Sequence, residues 1–211
     1  VVEDVSFIAE RGRLTFITGP TGAGKSTLFK LALKALEPEQ GSITVDGTDL
    51  ATVSRASWYA AIGVVPQEVM LLNDTLAANI VLGRERDAAK LERATRLASI
   101  HKFITGLPEG FETTVGERGL KLSGGERQRI AIARALYDKP EFLFLDEASS
   151  ALDEATEATI MAELRGLSAE TTIIAITHRK SVIAETDTVI RLKARKPKGE
   201  STLQGEVGAA I

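Results

Sequence analysis

The run Gly19-Pro20-Thr21-Gly22-Ala23-Gly24-Lys25-Ser26-Thr27 carries the chemistry of phosphate binding. Its glycines let backbone N–H groups wrap an anion, and Lys25 neutralises charge on the β and γ phosphates. Ser26 offers a hydroxyl to Mg2+. A chance glycine-rich turn is the alternative. Against it, the run lies between a strand-like Leu14–Thr18 and a helix-like Ser26–Leu36, the context a phosphate-binding loop requires. Ser123, ninety-eight residues after Lys25, stands in the run Leu122-Ser123-Gly124-Gly125-Glu126-Arg127-Gln128-Arg129. A serine and two glycines opening a helix put a hydroxyl and free backbone N–H groups at a positive helix end. That is a second anion site, and one chain rarely needs two for a single ATP. The economical reading is that the second site serves the ATP of another copy.

Carboxylates follow 23 residues later, where the apolar run Phe142–Leu145 ends in Asp146-Glu147. Asp146, at the carboxyl end of a buried strand, stands where a Mg2+-orienting acid belongs. Glu147 is placed to polarise an attacking water, although an ordinary acid favoured at a helix N-terminus reads the same way. Gln67 follows the strand-like Ile62–Val65 and Pro66, where a side-chain amide reaches both Mg2+ and the water. His178 closes the strand-like Thr172–Ile176, a position at which a lone histidine is usually structural or exposed. His101, within helical sequence, reads as structural. Asp153 reads as the N-cap of a helix over Glu154–Arg165.

Strands must deliver these groups to one place. Val1–Phe7 and Leu14–Thr18 read as strands split by a turn at Arg11-Gly12, and Ile43–Val45 before Asp46-Gly47 is a hairpin signal. From Thr75 to Asp138 the pattern is mostly helical, with Asp87 as an N-cap and Leu91, Ala94 and Ala98 on one face. Strand pattern resumes at Phe142–Leu145, Thr172–Ile176 and Thr188–Leu192. Strands alternating with helices imply a mainly parallel sheet flanked by helices. The expected fold is α/β, a P-loop NTPase (RecA-like) core with a small antiparallel β portion and an inserted helical subdomain. Residues 1–67 form the first part of the core, 68–139 the helical subdomain, 140–192 the second part, and 193–211 a tail. In that tail Lys193, Arg195, Lys196 and Lys198 are either solvated or in contact with anionic lipid headgroups.

With 211 residues and 44% hydrophobic content, the chain can bury one full core. A net charge of −3 gives no reason to expect a nucleic-acid partner. The lack of cysteine excludes disulfides and thiolate metal sites. No apolar run approaches the ~18 residues of a membrane helix. A chain that opens on Val1 and reaches its phosphate loop by Gly19 reads as part of something longer.

In order and spacing, these motifs resemble the nucleotide-binding domain of ATP-binding cassette (ABC) transporters, over about residues 1 to 192. The resemblance implies that His178 is the switch histidine that contacts the γ-phosphate. It makes Gln67 the Q-loop residue that couples the site to a membrane partner. The apolar Val69-Met70-Leu71-Leu72 beside it is then either loop packing or a contact with that partner. Ser150-Ala151-Leu152-Asp153 matches the D-loop, which touches the opposite subunit. Thr114–Gly119 resembles a loop of the exporter branch. One departure is Glu126, where the family signature commonly has Gln. A capping box accepts either, and related exporters carry acids there. By resemblance, two domains sandwich two ATP molecules with Mg2+, each ATP between one chain's loop and the other's Ser123-Gly124-Gly125. A second nucleotide-binding domain and a transmembrane domain are thus the expected partners, at the cytoplasmic face of a bacterial-type inner membrane, with ATP hydrolysis powering export. The rivals are a soluble cassette ATPase acting on ribosomes or DNA, and a nucleotide-binding regulatory module without turnover. Intact Glu147 and His178 argue against the second. The resemblance also leads one to expect an adenine-stacking aromatic residue on a strand upstream of Val1. No aromatic residue of this chain matches that position.

Overall fold

The computed structural model of the chain describes residues 2–116, 120–148 and 151–193. Strand β1 (Leu14–Thr18) runs into the phosphate loop and helix α1 (Lys25–Ala32). A hairpin of β2 (Thr44–Val45) and β3 (Thr48–Asp49) follows, then α2 (Arg55–Ala61) and β4 (Ile62–Val65). Four helices come next, α3 (Leu76–Val81), α4 (Ala88–Leu97), α5 (His101–Thr105) and α6 (Gly124–Leu136). The chain then alternates through β5 (Phe142–Asp146), α7 (Glu154–Leu167), β6 (Thr172–Ile176) and β7 (Thr188–Arg191).

Five strands form one parallel sheet in the order β4-β5-β6-β1-β7. Successive strand residues point to opposite faces, so each strand feeds two cores. Leu14, Phe16, Val65, Leu143, Leu145, Ile173 and Ala175 join the face covered by α3, α4, α6 and α7. Ile17, Phe144 and Ile176 face the other way, onto Phe29 of α1 and Trp58 of α2. Phe29 and Phe144 meet edge to face at 5.6 Å between ring centroids, a favoured aromatic geometry. The helices over residues 76–136 are not separate from this core: Ile130, Ile132 and Leu136 of α6 pack with the sheet residues. The approach is close at Gly63 of β4, where a Cβ would stand 2.5 Å from the Ala135 carbonyl oxygen.

Several elements form as read from the sequence. The β2–β3 turn has positive φ at both central residues, Asp46 (47°) and Gly47 (82°), as a type I′ hairpin requires. Asp87 and Asp153 cap α4 and α7 through their carboxylates. Leu91, Ala94 and Ala98 are buried together. His101 Nδ1 lies 2.9 Å from Thr95 Oγ1, a packing role.

Two readings need correction. Residues 2–7 of the expected Val1–Phe7 strand form no strand. Strand-like composition needs a ladder partner, and β7 pairs with β1 alone among the described residues. Helix α1 stops at Ala32, short of Leu36. Lys34 takes a left-handed φ of 55°, and its ammonium donates to the carbonyls of Leu50 (2.6 Å) and Val53. Those contacts pull the chain out of the helical path. Of the basic tail, Lys193 is exposed and Arg195, Lys196 and Lys198 lie outside the described residues.

Candidate functional site

Sheet register decides which side chains meet. Val65 pairs with Leu145, Leu145 with Ala175, and Ala175 with Phe16. Counting from that row toward the carboxyl ends, Gln67 and Glu147 are two residues on, and His178 and Gly19 are three. All four therefore emerge at one edge, where open parallel sheets bind ligands.

At that edge Glu147 is the hub. Its Oε2 accepts a hydrogen bond from Gln67 Nε2 at 3.1 Å, and its Oε1 lies 3.0 Å from His178 Nε2. Its backbone amide donates to the Ile176 carbonyl at 3.1 Å, which seats it beside the end of β6. The residue carries a left-handed φ of 48°. A glutamate in that region is strained, and such strain persists where surrounding contacts over-determine it. Side chains from two other strand ends thus converge on the Glu147 carboxylate.

Next to it, burial holds the carboxyl of Asp146 above its ordinary titration range. The negative charge of Glu147 adds to that effect, while the positive charge of Lys25 opposes it. Lys25 is itself buried, and its Nζ donates to the carbonyls of Gly19 (2.9 Å) and Pro20 (3.1 Å). Gly19 has a φ of 150°, and a Cβ there would meet the Leu192 carbonyl oxygen at 2.6 Å, so only glycine fits against the end of β7. Ser26 and Thr21 are exposed, and Ala23 and Thr27 are half-buried. Gly22 and Gly24 share the positive φ of the loop, at 81° and 96°, and Gly24 starts α1.

The oxygen donors Ser26, Asp146 and Gln67 suit a hard cation such as Mg2+. Among the described residues no three His, Cys, Asp or Glu side chains cluster to hold a metal alone. A cation here would have to share its shell with phosphate oxygens, as Mg2+ does in phosphoryl-transfer sites.

The second motif is a complete capping box. Ser123 Oγ accepts from the Glu126 amide at 3.2 Å, and Glu126 Oε2 accepts from the Ser123 amide at 2.7 Å. The serine amide is therefore committed within its own helix. The amides of Gly124 and Gly125 remain at the helix start, which carries the positive end of the dipole. Both glycines lie close to Ala151: their Cβ atoms would stand 3.4 and 3.3 Å from it. Gln67, Glu68 and Val69 line a cleft with Gly124, Arg127, Gln128 and Ala151, so Gln67 and the second motif border a common space.

Asp153 accepts from the Thr156 amide at 2.9 Å, a contact that lowers its titration range. Ser150, beside it, lies outside the described residues, as do Glu117, Arg118 and Gly119 of the 114–119 loop. Val69 and Leu71 pack on the core, while Met70 is 84% exposed and Leu72 53%. Sequence reasoning missed two residues at this edge. Arg179 Nη1 donates to Glu157 Oε2 (2.9 Å) and to the Leu152 carbonyl (3.2 Å). Gln128 is buried and lines the cleft, and its Nε2 has no hydrogen-bond partner among the described residues. Adjacency to His178 was the only available signal for Arg179. Gln128 had none beyond its place in the motif.

Known proteins resemble this chain over most of its length. A family model described as ABC transporter matches residues 2–150. An ATM1-type heavy metal exporter of Novosphingobium aromaticivorans is 46% identical over 193 residues, covering 91% of this chain and 32% of that protein. ATP-binding cassette sub-family B member 6 of Mus musculus is 45% identical over 193 residues, covering 91% of this chain and 23% of its own length. The solved structure of a bacterial Atm1-family ABC exporter with ATP bound superposes with a TM-score of 0.80 at 46% identity. It covers 88% of this chain, which spans 33% of that one.

Proposed function

The chain belongs to the ABC transporter family, and from that premise we propose that it hydrolyses ATP between two copies of itself or of a related chain to drive export. The observation that carries the proposal is the convergence of Gln67 and His178 on the Glu147 carboxylate, at the sheet edge that also bears the phosphate loop. The loop amides and Lys25 hold the phosphates. Glu147 accepts the proton of the water that attacks the γ-phosphorus, with Gln67 and His178 fixing its two oxygens. His178 also contacts the γ-phosphate. When bound through Ser26, Asp146 and Gln67, Mg2+ would supply charge neutralisation on the phosphates.

Ser123, Gly124 and Gly125, with Glu126 as their cap, address the nucleotide of the opposite copy, and Asp153 lies at the same contact. Support comes from the free glycine amides at the start of α6 and from their closeness to Ala151. Residues 1–67 and 140–192 act as the ATPase core, and 68–139, packed on that core, as the helical part that bears the signature motif. Met70 and Leu72 offer the exposed apolar contact for a transmembrane domain. Two of the named relatives are exporters by name, which favours the cytoplasmic face of a membrane as the place of work. No helix of the described residues is long and apolar enough to cross one. Cargo is a matter for the membrane-spanning part, and the relatives' names suggest metal-related compounds as the first to try.

Phosphate release from ATP tests this reading. The chain should release phosphate in Mg2+ and stop in excess EDTA. Lys25→Ala should lose nucleotide affinity through its missing charge-assisted contacts. Nucleotide binding without phosphate release under any condition would overturn the enzymatic part.

A further inference from the structure

Glu157, in the first turn of α7, is a buried carboxylate that the mechanism above does not use, with a side chain only 3% exposed. Its partner is Arg179, the residue after His178. The same guanidinium nitrogen that reaches Glu157 Oε2 also donates to the Leu152 carbonyl, just before the Asp153 cap. The Arg179 amide donates to Thr177 Oγ1 at 3.0 Å, so the residues on either side of His178 are bonded to each other. One side chain therefore ties the turn that carries His178 to the start of α7 and to the 151–153 segment. On the opposite side, His178 is held by Glu147 alone among the contacts described, and its side chain is 46% exposed. An exposed imidazole needs its backbone fixed if it is to keep a 3.0 Å contact.

We propose that Arg179 is a positioning residue: anchored on Glu157 and Leu152, it keeps the His178 imidazole against Glu147. The proposal rests on the hydrolytic reading above only for its effect on rate. The position of the imidazole is a claim about the molecule with or without turnover.

Removing Arg179 alone would leave a buried carboxylate uncompensated and endanger folding. The decisive variant is the double substitution Arg179→Met with Glu157→Leu, since replacing a buried ion pair by apolar residues is often neutral for stability. Two readouts are made in the full chain. One is the 15N signal of His178 Nε2, which reports its hydrogen bond to Glu147. The other is kcat and KM for Mg-ATP. We expect the His178 signal to move toward that of a solvated imidazole. We also expect kcat to fall roughly ten- to a hundredfold, the scale of a small misplacement of a reacting group, with KM unchanged. Arg179→Lys, which keeps a cation opposite Glu157, should leave both close to wild type. A folded double variant with an unshifted His178 signal would overturn the proposal. His178→Ala is the control for the parent reading: wild-type turnover there removes His178 from the mechanism, while the imidazole signal still decides what Arg179 does.

Discussion

Replacing Glu147 with glutamine separates chemistry from structure. The amide side chain keeps one acceptor oxygen on the same backbone, so the left-handed φ of 48° costs the same in both proteins. The Gln67 amide is exposed and can turn its oxygen toward the new NH2 group. What remains is the loss of a partly exposed pair with His178, 46% and 22% exposed on the two sides. Pairs of that kind contribute about 0–1 kcal/mol. In a domain of this size about 1 kcal/mol moves Tm by roughly 2–4 °C. A missing general base, in contrast, costs about 10²- to 10⁴-fold in rate. At ~1.36 kcal/mol per decade that is about 3–5 kcal/mol of barrier. The two scales are well separated. Thermal melting and nucleotide titration should therefore find Glu147→Gln near wild type, while phosphate release in Mg-ATP falls by two orders of magnitude or more. Turnover within threefold of wild type would show that the carboxylate at the centre of the cluster is not the base.

Two further substitutions probe neighbouring groups. Because burial raises the Asp146 titration above 3.8, its charge penalises the fold above that raised value and the penalty vanishes below 3.8. Asp146→Asn should thus melt higher than wild type at pH 7 while losing hydrolysis, with the gain shrinking as pH falls toward 3.8. A lower melting point at neutral pH would contradict the sign. Ser123→Ala removes one half of the capping box and should cost about 1 kcal/mol, a shift of roughly 2–4 °C, with nucleotide affinity of the single chain intact. An affinity loss like that of Lys25→Ala would mean that Ser123 serves its own chain's nucleotide.

Local chemistry was legible where the sequence carries a local cause. The Asp46-Gly47 turn, the Asp87 and Asp153 caps and the Ser123–Glu126 box each depend on a few adjacent residues, and each forms as read. Strands β4 and β6 were legible to the residue because each is a short, continuous apolar run with no exposed position. What failed depends on distant partners. Residues 2–7 have strand-like composition but pair with no strand among the described residues. Helix α1 ends early because Lys34 finds carbonyls sixteen and nineteen residues away. The site divides in the same way. Gly19–Thr27 is a continuous motif, whereas the meeting of Gln67, Glu147 and His178 depends on sheet register, which no single segment encodes.

The central claim is that the phosphate loop of one copy works with the Ser123-Gly124-Gly125 turn of another. Mixing two inactive chains tests it directly. Chains carrying Lys25→Ala and chains carrying Ser123→Arg are each purified, shown to be folded and inactive, and combined in equal amounts with Mg-ATP. A mixed pair contains one site built from an intact loop and an intact signature. Activity should therefore recover to about a quarter of wild type, since half of randomly formed two-fold dimers are mixed and each has one intact site of two. If loop and signature of one chain served the same nucleotide, neither chain could repair the other, and the mixture would remain as inactive as its parts.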